Sequence, residues 1–164
     1  MARGDTYFLN IPGGIGPHSC VILKETQEWV IAIYGQTHGH AGAHRIAPPD
    51  ACVSEFGGHV VYETHFDRMN VAFIPLARLP QTRLGHIDDN DLPGFLRAAR
   101  EGLADWGKVV AVLDQQAQQC QCQGGCQKHP PQCPAIYDAT QPHTVMDWRM
   151  TVKNQVFCRV CFES

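Results

Sequence analysis

Long apolar runs are missing from this chain of 164 residues, in which no run of about 18 apolar residues occurs. A helix that crosses a bilayer needs roughly 20 such residues, so we expect no membrane span. The first residues also lack the apolar centre of a secretory signal, because Asp5 and Asn10 interrupt it. These two absences predict a cytoplasmic protein.

Positive charge is also scarce. The chain has 13 lysines and arginines against 16 acidic residues, a net charge of −3. Proteins that bind nucleic acid without specificity neutralise phosphates with an excess of lysine and arginine. The composition therefore argues against strong non-specific binding, although a local patch that contacts RNA stays open.

The cysteines and histidines are unevenly distributed. Cys20 and Cys52 stand alone, whereas the other six of the eight cysteines follow residue 119, and seven of the nine histidines lie between His18 and His86. An apolar fraction of 44% is sufficient for a core. We divide the chain into a body, residues 1–108, and a cysteine-rich tail, residues 109–164. In a reducing compartment, clustered cysteines indicate metal or redox chemistry more than disulfides.

The body shows the pattern of short strands. Tyr7, Leu9 and Ile11 alternate with Thr6, Phe8 and Asn10, as in a half-buried strand, and a loop rich in glycine and proline follows. The first three strands follow one another too closely for parallel crossovers, so they predict an antiparallel meander. The predicted strands cover residues 6–11, 19–23, 26–35, 59–65 and 70–76.

One helix is predicted at the end of the body. The apolar residues that share one helical stripe are Leu92, Phe95, Leu96, Ala99, Leu103 and Trp106. Asn90 or Asp91 is a candidate N-cap, and Gly107 is a plausible stop. Residues 108–119 suit either a strand or a helix. Residues 144–162 read as a hairpin that turns near Lys153 and Asn154.

The tail carries the strongest metal signal. Structural zinc takes four soft or borderline ligands, often as two pairs from different parts of the chain. The candidate ligands are Cys120, Cys122, Cys126, His129, Cys133, Cys158 and Cys161. Because this polar segment has little else to bury, zinc would supply its folding energy. Disulfides and free thiols are the alternatives. Cys158 and Cys161 can join one site only if the chain bends between them, since a straight strand points them to opposite faces.

A second metal pattern lies in the body. His38 and His40 project to one side of an extended chain, and His44 could complete a three-nitrogen zinc site with an open position for water. Such a site would make the protein a metallohydrolase. The glycines and alanines between the histidines favour a mobile loop that faces RNA instead.

Two segments of the body resemble the MazF/PemK-type toxins. Arg3-Gly4-Asp5 with Tyr7, followed by the loop and an apolar strand that ends at Leu23, is similar to the start of that family. The segment LGHIDDNDL, residues 84–92, is similar to the approach to its C-terminal helix. The resemblance covers residues 2–106. It implies an SH3-like barrel of about five antiparallel strands with a C-terminal helix, here extended by the metal-stapled tail.

The resemblance also implies a function. The family cuts single-stranded RNA by metal-independent acid–base chemistry that leaves a cyclic phosphate, and it works as a homodimer held in check by an antitoxin peptide. His18-Ser19 stands where the family has an Arg-Pro pair, and Thr37 is nearest to its Thr or Ser. His18 and His38 are then the candidate acid and base, and Arg45 the candidate cation. The alternative is a catalytically inert barrel that binds a protein or nucleic acid through its zinc-stabilised tail.

Overall fold

The structure, a computed structural model, describes residues 2–13, 17–36, 43–46, 64–122, 124, 126, 128 and 133–164. The fold is mostly β, as the sequence predicts, with one long helix. The strands are β1 (Asp5–Asn10), β2 (Pro17–Glu25), β3 (Trp29–Gln36), β4 (His44–Ile46), β5 (Thr64–Pro75), β6 (Gly85–His86), β7 (His143–Thr144), β8 (Trp148–Met150) and β9 (Val156–Cys158). The helices are α1 (Leu92–Gln115), α2 (Arg159–Phe162) and a 3₁₀ turn (Leu76–Arg78). Among the described residues, no helix is both long and apolar enough to cross a bilayer.

The main sheet is antiparallel and runs in the order β4-β5-β3-β2-β1-β6, with β7 paired to the far half of β5. The predicted meander of β1, β2 and β3 is confirmed. In the described part of the chain, β4 and β6 stay at opposite ends of this path. A closed barrel of five strands therefore remains a prediction.

Both faces of the sheet are apolar and buried. Val21 and Ile33 contact the helix side, and Cys20, Ile22 and Ala32 form a second cluster on the opposite side. This division follows the two-residue period of a strand. The register shifts between Ile22 and Lys24, and such bulges bend a strand and increase its twist.

Strand β5 replaces two predicted strands. The sequence analysis ends one strand at residue 65 and begins another at residue 70, but residues 64–75 form a single strand with an irregularity opposite Tyr34. The buried Asp67 accepts a hydrogen bond from the N–H of Met69 at 2.9 Å, which closes a local turn without leaving the strand. The residues in this irregularity therefore project away from the regular ladder.

Helix α1 is longer than predicted. Gly107 was expected to end it, but the helix continues to Gln115 and also crosses residue 108, where we divide the body from the tail. Val109 and Leu113 extend the buried stripe of the helix, so packing outweighs the roughly 1 kcal/mol that an internal glycine costs. The predicted side-chain cap is also absent, because the carboxylate of Asp91 binds Nε2 of His44 at 3.0 Å.

The two glycines of this helix give a matched pair of predictions. A Cβ atom at Gly102 would lie 2.1 Å from the carbonyl oxygen of Arg68, whereas nothing lies within 4 Å of one at Gly107. We expect Gly107→Ala to raise the free energy of unfolding by up to about 1 kcal/mol, because alanine favours the helix. Gly102→Ala should lower it by about 1–3 kcal/mol, because the overlap is with the main chain. Urea unfolding of both variants measures the difference, and equal effects would contradict the close contact.

The Arg3-Gly4-Asp5 segment, on which the resemblance partly depends, makes hydrogen bonds to neighbouring strands. Arg3 donates from Nε to the carbonyl oxygen of Leu23 at 2.9 Å, and Gly4 has a φ of +92° beside His86. The buried Asp5 carboxylate accepts from Arg83 and from His86, each at 3.0 Å, and from the N–H of Ala2. Burial opposes its ionisation, but these donors lower the pKa of Asp5 on balance. The segment therefore fixes β1 against β2 and β6.

The tail packs on the sheet and the helix through aromatic rings. His143 stacks on Phe73 with ring centroids 4.6 Å apart and lies within 6 Å of Trp106 and Tyr137. Strand β7, which carries His143, pairs with β5 in the main sheet. These contacts join the part of the tail near residue 143 to the body.

The predicted hairpin at the C-terminus is partly confirmed. β8 and β9 pair with each other, and Asn154 in the turn has a φ of +58°. The second strand ends sooner than predicted, because the chain turns into helix α2 directly after Cys158. This bend is the condition that the sequence analysis sets for Cys158 and Cys161 to share a site.

Candidate functional site

Six buried cysteines of the tail converge at one end of the molecule, beyond the C-terminus of α1. In the first group, all the sulfur atoms lie within 4.8 Å of one another. Its members are Cys120, Cys133, Cys158 and Cys161. The sulfurs of Cys133 and Cys158 are 3.7 Å apart. Four sulfurs at about 2.3 Å from a tetrahedral ion are about 3.8 Å apart, so this group has the size of a metal site.

The backbone holds these sulfurs in place. The N–H of Cys158 donates to the sulfur of Cys120 at 3.3 Å, and the N–H of Ala135 donates to the sulfur of Cys133 at 3.4 Å. The side-chain amide of Gln116 clamps β9, since it donates to the carbonyl oxygen of Val156 and accepts from its N–H. The end of α1 thus aligns Cys120 with the strand that carries Cys158.

A second group shares one member with the first. Its sulfurs also lie within 4.8 Å of one another, and they belong to Cys122, Cys126 and Cys161. The N–H of Cys126 donates to the sulfur of Cys122 at 3.0 Å, across a tight loop in which Gly124 has a φ of +77°. His129, which the spacing also predicts as a ligand, lies outside the described residues.

Two thiols of the cluster, those of Cys120 and Cys161, resist ionisation. Burial raises the pKa of Cys120 to about 11. Burial also raises the pKa of Cys161, as do its hydrogen bonds to Cys126 and other thiols. Burial opposes ionisation of Cys133 as well, but the N–H of Ala135 and donation from neighbouring thiols lower its pKa on balance. Several thiolates can coexist in this space only if a cation offsets their charge.

Metal binding should therefore release protons. Cys120 and Cys161 have raised pKa values, so both are thiols at neutral pH in the metal-free protein, and a bound ion needs both as thiolates. We expect addition of Zn²⁺ at neutral pH to release at least these two protons per chain, and the affinity to rise with pH. A pH indicator in weak buffer measures the release. Binding without proton release would show that these cysteines are not ligands.

A polar pocket lies beside the cysteine cluster and has a volume of about 360 Å³. His18 of β2 and Tyr34 of β3 face each other in it, with ring centroids 5.4 Å apart. The other residues that line it are Ile11, Pro12, Gly13, Gln36, Met69, Asn70, Met146 and Arg159. The pocket thus combines residues from the sheet, from the irregularity of β5 and from the tail.

Two polar atoms of residues that line this pocket lack a partner within the described part of the chain. They are Nδ1 of His18 and Nδ2 of Asn70, and both atoms are buried. A buried polar atom without a hydrogen bond costs about 1–3 kcal/mol, so such atoms often mark a place where a ligand or water binds. Asn70 is 4% exposed and is placed in the pocket by the irregularity of β5.

Arg159 connects the pocket with the cysteine cluster. It follows Cys158 directly, and its N–H donates to the carbonyl oxygen of Asp147 at 2.8 Å. Its Nη1 lies 3.7 Å from the place that a Cβ atom would take at Gly13. Its Nε donates to Glu163 at 3.2 Å, and the side chain is 41% exposed. The cluster therefore sets the position of a guanidinium group at the pocket.

The other predicted site residues lie away from the pocket or outside the residues that the structure describes. Thr37, His38 and His40 fall outside the described residues. Arg45 lies in β4, where it pairs with His65, and β5 and β3 separate that strand from the strand of His18. His44 binds Asp91 and packs on Phe95, with ring centroids 4.6 Å apart. His44 thus joins β4 to helix α1.

The sequence analysis missed three residues of the pocket: Tyr34, Asn70 and Arg159. Burial raises the pKa of Tyr34 to about 12, so its hydroxyl stays protonated at neutral pH. Arg159 had one usable signal, since it stands inside the Cys158-x₂-Cys161 pair and must lie next to any metal bound there. Cys20, which burial makes difficult to ionise by raising its pKa, belongs to the core of the sheet.

Comparison with known proteins gives no match, either to a model of a protein family or to a curated protein. A relation to MazF/PemK-type toxins is consequently a proposal.

Proposed function

We propose that the protein is a MazF/PemK-like endoribonuclease that cleaves single-stranded RNA in the pocket of His18, without a metal ion in the reaction. The observation that carries this proposal is that an imidazole with a buried, unpartnered Nδ1 shares a cavity with an arginine. The family has an arginine at the position of His18, and here Arg159 of the tail brings a guanidinium to the same cavity.

The reaction requires the 2′-oxygen of one nucleotide to attack the adjacent phosphorus while the bond to the 5′-oxygen breaks. A base takes the 2′-hydroxyl proton, and an acid protonates the leaving 5′-oxygen, which gives a 2′,3′-cyclic phosphate and a 5′-hydroxyl. Imidazole can take up or give up a proton near neutral pH. We assign His18 to one of these proton transfers, and His38 stays the predicted partner for the other.

The phosphate needs stabilisation as negative charge builds up on its oxygens. Arg159 supplies a positive charge with several donors, a geometry that suits phosphate oxygens. The amide of Asn70 and the protonated hydroxyl of Tyr34 are neutral donors in the same cavity. Donors that are fixed before the reaction starts stabilise the developing charge with little reorganisation.

A cleavage assay with zinc-loaded protein and no added divalent metal tests the proposal. We expect discrete cuts in a long single-stranded RNA, with cyclic phosphate ends. His18→Ala should slow the cleavage roughly 100- to 10,000-fold, because a positioned acid or base contributes that much. A 2′-O-methyl RNA of the same sequence should stay intact, since it has no free 2′-hydroxyl to attack.

His86→Ala is the matched control. His86 binds Asp5 and is not part of the pocket, so its loss should leave cleavage per folded molecule unchanged. Intact RNA at every pH between about 5 and 9 would overturn the proposal, since a histidine acid or base works within that range. Equal loss in both histidine variants would point to general destabilisation.

The second candidate function is a catalytically inert module that binds RNA or a protein. One observation favours it: the described residues that line the pocket include a single histidine, His18, and no carboxylate. Cleavage needs both an acid and a base. An inert module would retain RNA with a 2′-hydroxyl uncut and would bind the 2′-O-methyl RNA equally well.

We further propose that the metal is zinc. Four thiolates with tetrahedral spacing suit zinc, which has no redox chemistry to damage them. A homodimer and an antitoxin peptide remain predictions from the resemblance. Light scattering of the purified chain tests the dimer.

A further inference from the structure

We propose that the cysteine cluster holds two metal ions that share the sulfur of Cys161. The first ion would bind Cys120, Cys133, Cys158 and Cys161, and the second would bind Cys122, Cys126 and Cys161. The ligand class is a soft divalent ion such as Zn²⁺ or Cd²⁺. This proposal is independent of the proposed ribonuclease activity.

The overlap of the two groups carries the inference. Cys161 is the one residue that belongs to both, and in each group every pair of sulfurs lies within 4.8 Å. The first group already provides four ligands, which completes a tetrahedral site. Cys122 and Cys126 are therefore in excess for one ion, yet they are also buried and converge on the same sulfur.

The position of α2 explains how one sulfur reaches both groups. Cys158 precedes the helix and Cys161 lies within it, three residues further along, so both point to the same side. Cys161 shares the first group with Cys158 and Cys133 and the second with Cys126, whose sulfur is 3.2 Å from that of Cys161. That distance is shorter than a tetrahedral edge, so an ion would widen it by about half an ångström.

Charge does not oppose a second ion. One divalent ion on four thiolates leaves two negative charges, and a second ion that takes up two further thiolates leaves the same two. Backbone donors face the sulfurs in both groups, such as the N–H of Cys126 toward Cys122 and the N–H of Cys158 toward Cys120. Because Cys161 belongs to both groups, six cysteines supply four sulfurs to the first ion and three to the second.

Cadmium NMR of the wild-type chain tests the bridge directly. With ¹¹³Cd²⁺ in place of the native metal, we expect two ions per chain by elemental analysis and two resonances. Each resonance should be split by the other through the shared sulfur, with a cross-peak between them. Dilution of the label with spin-free ¹¹²Cd²⁺ should collapse the splitting. One ion per chain, or two resonances without coupling, would overturn the proposal.

Single substitutions supply a second readout. Cys122→Ser should remove one ion per chain and keep the other, because only the second group loses a ligand. Cys161→Ser should weaken both ions, since each loses a sulfur. Cys20→Ala, outside the cluster, should retain both. If Cys161→Ser and Cys122→Ser removed the same single ion and left the first unchanged, Cys161 would not be shared.

Discussion

Loss of the metal is expected to unfold the part of the tail that surrounds the cysteines, whereas the main sheet stays folded. Structural zinc contributes roughly 10–16 kcal/mol of binding free energy in small domains, and that energy is folding energy where the site exists only in the folded state. The six cysteines belong to one apolar cluster that also contains Val156, Trp148 and Leu113. The thiols themselves, if left without an ion, are buried groups that gain little from the fold.

The loss of structure after metal removal should differ between the two ends of the tail. Residues 119–122 and 152–164 depend on the cluster through the contacts of Cys120, Gln121 and Cys158. Strand β7 should keep its structure, because it pairs with β5 and carries His143, whose ring packs on Phe73 and Trp106. We therefore expect the proposed metal to stabilise the far end of the tail and the aromatic rings to stabilise the near end.

Hydrogen exchange read by mass spectrometry measures this pattern. After complete chelation, amides in residues 152–164 should exchange at least about 100-fold faster, and those in β2 and β3 should exchange at the original rate, since each factor of ten is about 1.4 kcal/mol. Cys158→Ser should reproduce the effect. Cys20→Ala is the control, because its thiol is buried in the sheet away from the cluster. Unchanged protection of residues 152–164 in the metal-free protein would contradict the expectation.

The parts of the fold that follow from local pattern were predictable. The alternation of Tyr7, Leu9 and Ile11 gave the first strand and its buried face, and all three belong to one apolar cluster. The six cysteines indicated a metal site from spacing alone, and they do converge. Residues close in the sequence carry the signal for the strand, and the residue type alone carries it for the cysteines.

The rest depends on contacts between distant residues. Gly107 has the local signature of a helix end, but Val109 and Leu113 find a buried surface beyond it and extend α1. Asp91 looks like a cap, but His44 takes its carboxylate from another element. The sequence contains no local sign of either partner, because tertiary packing selects them.

The pocket shows most clearly that contacts between distant residues cannot be predicted from the local sequence. His18 could be named because it stands where the resembled family has its Arg-Pro pair. Arg159 lies 141 positions later and reaches the pocket after the chain turns at Cys158. The sequence around His18 therefore does not reveal Arg159 as the cation of the pocket. The structure therefore changes the candidate cation from Arg45 to Arg159 in our proposal.

Substitution of Arg159 is also expected to have a large effect. That effect should be on the rate of RNA cleavage and not on the stability of the fold. Arg159→Ala should slow cleavage by about 100-fold or more, which is the usual cost of removing one donor that stabilises charge in a transition state. Its backbone bond to Asp147 survives the change, and its ion pair with Glu163 is exposed and contributes little. Metal content and unfolding should therefore stay close to the wild type.

Kinetics separate this role from simple RNA binding. If Arg159 acts on the developing phosphate charge, Arg159→Ala should lower kcat more than it raises KM, and Arg159→Lys should retain part of the rate as a point charge. Arg100→Ala removes an exposed arginine of α1 outside the pocket and should cleave at the wild-type rate. If Arg159→Ala changed only KM, the residue would bind RNA without assisting the reaction. Cleavage by Arg159→Ala at the full rate would remove the link between the metal cluster and the pocket.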